Sequence, residues 1–104
     1  PIDDLLTHTT VALGTDNVMT NSPSLFREMA FVSKLFDIDP REVLRMATSS
    51  GAKIFDLNYG VIEPNREAKL LVLDGDSNNL SGSSDIISSI VRRASSSDIK
   101  QVCL

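Results

Sequence analysis

The stretch Val-Ala-Leu-Gly-Thr-Asp-Asn (VALGTDN, residues 11–17) decides the fold predicted for this chain. Its first three residues are continuously apolar, which indicates a buried strand of the parallel type rather than a strand with one solvent-exposed face. Gly14 ends the run, so Asp16 follows the carboxyl tip of the predicted strand. Barrels of alternating strands and helices build their active sites at these tips. Asp16 is therefore the leading catalytic candidate, while the alternative is an aspartate that caps a turn or the next helix.

Upstream of this stretch, residues 2–6 predict a short helix, since two aspartates suit a first turn. Downstream, Ser22 is the predicted N-cap of a longer helix and Pro23 its first helical residue. Apolar side chains then recur at spacings of four, three and four residues, at Leu25, Met29, Val32 and Phe36. This spacing predicts an amphipathic helix.

Two shorter helices are predicted next. Asp39 and Glu42 form an acidic variant of the capping box around Pro40, which starts a helix that runs to about Ala47. Another helix is predicted over residues 50–55, and residues 58–60 supply side chains that tolerate positive φ.

The second half of the chain changes character. Residues 70–73 (LLVL) predict a strand, and residues 74–84 (DGDSNNLSGSS) predict a loop by composition. A helix follows, with its apolar residues at a helical interval and Arg92 and Arg93 at its C-terminal end. Residues 99–104 predict a final strand.

Charge and composition exclude several partners. The net charge is −4 and no basic cluster exceeds the pair Arg92 and Arg93, so no footprint for a phosphate backbone is present and no nucleic acid partner is expected. No apolar stretch approaches the length of a membrane span, so no membrane partner is expected either. A single cysteine, Cys103, cannot form an internal disulfide, which predicts a cytoplasmic location.

The residues present cannot complete a metal site. A catalytic zinc site takes about three protein ligands, whereas the chain has one histidine, His8, and one cysteine. His8 precedes the predicted strand, so it is assigned to a loop or helix end with no catalytic role.

Five segments, taken in order, resemble a known family: VALGTDN, LFREM, ATSSGAKIF, YGVIEPNREAKLLVLD and SSSDIKQVCL. They look like the closing third of the cytosine deaminase and chlorohydrolase branch of the amidohydrolase superfamily. The resemblance implies an α/β fold that is the C-terminal piece of a TIM-barrel metal-dependent hydrolase plus part of a small β-sandwich. Residues 1–58 would form the end of the barrel domain, with its last strand and helices, and residues 59–104 part of the sandwich.

The resemblance also implies site roles. Asp16 corresponds to the family's strand-end aspartate, which touches a divalent metal, Zn or Fe, and moves a proton from water to the leaving group. Asn17 would flank it as a substrate-binding residue. The family's ligand histidines have no counterpart in this sequence and would lie upstream of Pro1.

The expected function is hydrolysis of a carbon–nitrogen bond other than a peptide bond, or of a carbon–halogen bond, with deamination of a heterocyclic small molecule as the leading case. The segment is expected to be inactive alone and to need the rest of the barrel upstream. An exposed barrel edge predicts self-association. The alternative is a non-catalytic α/β interaction module or an inactive relative of the family.

Overall fold

The computed structural model of the chain describes residues 2–15 and 23–104. Within them the chain forms a mixed helix and strand structure, with five α-helices, one 3-10 helix and two strands. The elements in order are α1 (Ile2–His8), α2 (Leu25–Phe36), α3 (Pro40–Ala47), α4 (Ser49–Ile54), β1 (Leu70–Leu73), α5 (Ile86–Arg93), the 3-10 helix (Ser96–Asp98) and β2 (Ile99–Cys103). None of the helices described has the length and apolar character needed to cross a membrane.

The start of α2 differs from its prediction. The helix begins at Leu25 with Ser24 as N-cap, because Ser24 takes an extended backbone (φ −136°, ψ 118°). Pro23 therefore precedes the helix instead of opening it, and the predicted cap Ser22 lies outside the described residues. The Ser24 side chain makes no capping hydrogen bond.

The predicted start of α3 is confirmed, but the capping box is not. The Asp39 carboxylate accepts a hydrogen bond from the backbone N–H of Arg41 at 2.9 Å, and Pro40 takes the first helical position. Glu42 does not complete the reciprocal bond of a capping box. Its carboxylate instead accepts from Arg45 Nη1 at 3.0 Å, since the i and i+3 side chains share one helix face.

The core lies where α2, α3 and α5 meet. Its buried apolar side chains are Met29, Val32, Ile38, Val43, Met46 and Val91. The predicted stripe of α2 is only half right, because its middle residues are buried while Leu25 and Phe36 at its ends are exposed.

The predicted strand at residues 11–13 is not formed. These residues follow α1 without regular structure, although Val11 and Leu13 pack partly buried against the core. The backbone N–H of Leu13 donates to the carbonyl oxygen of Met46 at 2.9 Å, so it bonds to a helix end and not to a neighbouring strand. A strand requires a partner strand, and the sheet in the described part of the chain contains only β1 and β2.

Both strands of the second half are confirmed, and they pair antiparallel as a two-stranded ribbon. Leu70 lies opposite Cys103 and Leu71 opposite Val102, with a register shift between Val72 and Leu73. An isolated ribbon of two strands is marginally stable, so this one depends on what packs against it.

The turn after α4 uses left-handed backbone at two positions. Helix α4 covers residues 49–54, one residue earlier than predicted, and Asp56 (φ 53°) and Gly60 (φ 101°) reverse the chain after it. A Cβ on Gly60 would lie 2.8 Å from the Cβ of Ala52, so glycine permits both the backbone angle and the close approach to α4. The predicted loop at residues 74–84 is confirmed as a series of turns.

Candidate functional site

The two residues predicted to carry chemistry, Asp16 and Asn17, lie outside the described residues. Their assignment as catalytic and metal-binding residue and as substrate-binding residue stays a prediction. The structure does describe the segment that leads to them, which ends at the half-buried Thr15.

This leading segment is held by α3 and α4. The hydrogen bond from Leu13 N–H to the carbonyl oxygen of Met46 satisfies one of the carbonyl groups that a helix leaves unpaired in its last turn. Ala12 lies against α4, where a Cβ added at Gly51 would meet the Ala12 Cβ at 3.9 Å. Asp16 is three residues beyond Leu13 in the sequence, a span of at most roughly 10 Å. The described segment itself is tied to the helical core at Leu13.

A cleft of about 670 Å³ opens at the other end of the same segment. It is lined by Thr9, Thr10 and Val11, and not by Leu13 to Thr15. The cleft therefore lies beside the start of this segment and not beside Leu13 to Thr15.

The charges in this cleft are largely paired with one another. Arg45 contacts Glu42 at 3.0 Å and Arg66 contacts Glu63 at 2.8 Å. The residues that line the cleft include no histidine or cysteine. Lys53 and Asp56 also line the cleft and form no ion pair in the part of the chain that the structure describes.

The described residues do not form a metal site. Across residues 2–15 and 23–104, no group of three or more His, Cys, Asp and Glu side chains could hold a metal ion. His8 ends α1, as predicted, and its Nδ1–H donates to the carbonyl oxygen of Asp4 at 2.8 Å. Cys103 is half buried on β2 opposite Leu70. The residues shown thus do not fit a Zn or Fe centre, which needs about three ligands.

One carboxylate with an unusual setting was missed from the sequence. Asp98 is buried, and it accepts hydrogen bonds from Asn79 Nδ2 and from the backbone N–H of Ser95, both at 2.9 Å. The hydrogen bond from the Asn79 side chain, followed by that from Ser95, lowers the pKa of Asp98 below its ordinary value. The available signal was the S-x-x-D spacing of residues 95–98, which forms a capping box on the 3-10 helix.

The role of Asp98 is to join two parts of the chain. Through Asn79 it holds the loop after β1, and its own carbonyl oxygen accepts from the backbone N–H of Asp74 at 2.8 Å. These bonds connect the end of β1 to the start of β2. Asp98 is thus a structural carboxylate of the ribbon.

Comparison with known proteins places the chain in a family. A family model described as the Amidohydrolase family matches residues 1–104. The chain is 39% identical over 99 residues to an uncharacterized protein of Methanocaldococcus jannaschii. The aligned region covers 94% of this chain and 26% of that protein. No solved structure gives a significant match.

Two further relatives have names that state an activity. The 5'-deoxyadenosine deaminase of Methanococcoides burtonii is 34% identical over 99 residues, covering 86% of this chain and 23% of the relative. The 5-methylthioadenosine/S-adenosylhomocysteine deaminase of Acetivibrio thermocellus is 35% identical over 115 residues, covering 99% of this chain and 27% of the relative. The chain thus spans about a quarter of the length of the curated relatives it matches.

These matches define a class of hydrolytic enzymes that includes deaminases. The chain belongs to the amidohydrolase family. The resemblance predicted from the five sequence segments is thereby confirmed.

Proposed function

We propose that this chain supplies the closing part of a metal-dependent deaminase whose substrate is an adenine nucleoside or a close analogue. The observation that carries the proposal is the family match over residues 1–104, together with relatives named as deaminases of 5'-deoxyadenosine, 5-methylthioadenosine and S-adenosylhomocysteine. These substrates share the adenine base, so its exocyclic amine is the proposed leaving group.

Asp16 is the proposed catalytic residue. In hydrolytic deamination, water adds to the carbon that bears the amine, the carbon–nitrogen bond breaks, and ammonia leaves. Asp16 would accept a proton from the attacking water and return it to the departing nitrogen. One carboxylate would thus act first as general base and then as general acid. Asn17 would contact the substrate beside it.

The proposal includes a divalent metal, Zn or Fe, with Asp16 as one ligand. When bound, such an ion supplies Lewis acidity and makes water a better nucleophile near neutral pH. Since the described residues form no metal site and His8 is the single histidine of the sequence, the remaining ligands would have to come from outside these 104 residues. The chain alone is therefore expected to be inactive.

The architecture proposed for the whole protein divides this chain between two domains, as predicted from the sequence. Residues 1–58 would close a TIM barrel whose other strands lie upstream, and residues 59–104 would contribute to a small β-sandwich. The hydrogen bond between Leu13 and the end of α3 supports this arrangement. Residues 11–13 pair with no strand among the described residues, and they lie close to the helices that would cover a barrel strand. A cytoplasmic location is part of the proposal.

Replacement of Asp16 by Asn in the longest polypeptide that contains this chain tests the assignment. Loss of the proton acceptor is expected to lower kcat for 5'-deoxyadenosine deamination by roughly 10²- to 10⁴-fold. Ammonia release measures the rate, and the metal content of both proteins is measured by elemental analysis. Asp76→Asn is the matched control, since Asp76 lies exposed in the loop after β1 and is expected to leave kcat unchanged.

An Asp16→Asn protein that keeps a rate near that of the control would refute the catalytic role of Asp16. A parent polypeptide that binds no metal and deaminates no adenine nucleoside would refute the enzyme and favour a non-catalytic interaction module.

A further inference from the structure

We propose that a basic cleft between α2 and α5 binds the phosphate group of a phosphorylated small molecule. The cleft has a volume of about 410 Å³ and is lined by Lys34 of α2 and by Ser88, Ser89, Arg92 and Arg93 of α5. Its position is set by the packing of α2 against α5, which brings the last turns of the two helices together.

Among the described residues, the lining of this cleft carries three positive charges and no carboxylate. Four other cations of the described chain, Arg41, Arg45, Arg66 and Lys69, are held in ion pairs with nearby acids, whereas Arg27, Lys53 and Lys100 form none with described residues. Among the residues that the structure describes, Lys34, Arg92 and Arg93 are in no ion pair. Their charge is thus not balanced by an acidic side chain in that part of the chain.

The two arginines are held in place by neutral hydroxyl groups. Arg92 Nε donates to Ser33 Oγ at 3.2 Å, and an Nη of Arg93 donates to Ser89 Oγ at 3.0 Å. Both serines are buried, with exposed fractions of 1% and 5%. A guanidinium has five N–H donors, so one bond to a serine orients the group without using its capacity for a ligand. A hydroxyl also leaves the positive charge in full.

The helix ends do not account for three charges. Each helix C-terminus carries roughly half a negative charge, so the ends of α2 and α5 together balance about one of the three cations. About two positive charges remain, which is close in magnitude to the charge of about −1.5 to −2 on a phosphate monoester at neutral pH. Arginine also matches the geometry of phosphate oxygens by paired hydrogen bonds.

The size of the cleft favours a phosphorylated molecule over phosphate alone. Small-molecule sites in proteins have volumes of roughly 300 to 1,000 Å³, and the cleft lies within that range. Phosphate fills a small part of it. Ser88, which also lines the cleft, would hydrogen-bond to a hydroxyl group of a polar body such as a sugar.

Calorimetric titration of the full chain with ribose 5-phosphate, and separately with inorganic phosphate, tests the site at low ionic strength. Both ligands are expected to bind and to weaken as salt rises, since the contact is partly exposed. The variant Arg92→Gln/Arg93→Gln is expected to bind at least about tenfold more weakly, because it removes two charge-assisted contacts. Lys34→Gln removes the third charge without breaking either serine bond and is expected to weaken binding as well.

Arg41→Gln and Lys100→Gln are the controls, since both side chains are exposed and neither lines the cleft. If ribose 5-phosphate binds more tightly than phosphate, the result supports a phosphate ester as the ligand of the cleft. If the two bind equally, the result supports the site but with free phosphate as its ligand. Affinity that is the same in Lys34→Gln and in the controls, or no saturable binding up to about 10 mM ligand, would overturn the proposal.

Discussion

At the scale of single residues, hydrogen bonds decide which polar side chains matter to this fold. Asp98 is buried because Asn79 and Ser95 donate to it, whereas Asp39 is exposed and satisfies one backbone N–H at a helix start. His8 likewise bonds to a carbonyl oxygen of its own helix. Asp39 and His8 thus bond to backbone groups close in sequence, whereas Asp98 also needs the side chain of Asn79.

Asp98→Asn is expected to destabilise the chain at neutral pH and to destabilise it less in acid. The lowered pKa means that the ionised Asp98 stabilises the fold in full above the unfolded-state pKa of about 3.9, and that this stabilisation is lost as the pH falls through the folded-state value. Thermal unfolding followed by circular dichroism at neutral pH and near pH 3 measures the difference. Asp76→Asn, in the exposed loop after β1, is the control. A difference in melting temperature between Asp98→Asn and the parent that is the same at both pH values would contradict the expectation.

At the scale of elements, the helices α2 and α3 begin with different kinds of cap. Asp39 accepts a hydrogen bond from the first turn of α3, while Ser24 begins α2 without a side-chain bond. This contrast isolates the contribution of a capping bond within one chain.

Asp39→Ala is expected to lower the free energy of unfolding by about 1 kcal/mol, the usual cost of removing an N-cap acceptor. Ser24→Ala is the matched control and is expected to cost less, since its hydroxyl makes no capping bond. Urea denaturation of both variants measures the two values. Equal losses in the two variants would show that the Asp39 bond does not stabilise α3.

At the scale of the whole molecule, the chain leaves large apolar side chains uncovered. Phe31 and Leu35 of α2 are 61% and 60% exposed, and the cross-strand pair Leu71 and Val102 of the ribbon is 52% and 53% exposed. Apolar surface of this extent normally marks a contact with another protein part. It supports the proposals that the chain packs against an upstream barrel and that the chain alone associates with itself.

Sedimentation velocity over a range of concentrations tests self-association of the chain. The sedimentation coefficient is expected to rise with concentration, because a two-stranded ribbon with exposed apolar residues can pair with a second copy. The variant Leu71→Thr/Val102→Thr keeps strand-forming residues but removes the apolar pair, and it is expected to reduce association. Phe55→Ser, which removes an exposed apolar side chain outside the ribbon, is the control. A monomer at all concentrations would refute self-association.

Local pattern predicted most of the elements correctly, for physical reasons that act over a few residues. The periodic apolar positions of α2, the cap at Asp39 and the apolar runs of β1 and β2 all depend on near neighbours in sequence. The family was also readable from the order of five short segments, and the match over residues 1–104 confirms it. The roles of Asp16 and Asn17 remain predictions from that resemblance.

Tertiary structure alone decided the remaining features, because they depend on residues that are distant in sequence. Residues 11–13 have the composition of a strand, yet without a partner strand their backbone bonds to the end of α3. Burial of Asp98 required Asn79, which is 19 residues away. The basic cleft required α2 and α5 to pack so that Lys34 and the two arginines share one opening. Sequence thus determined the elements and the family, whereas packing determined which polar and charged groups meet.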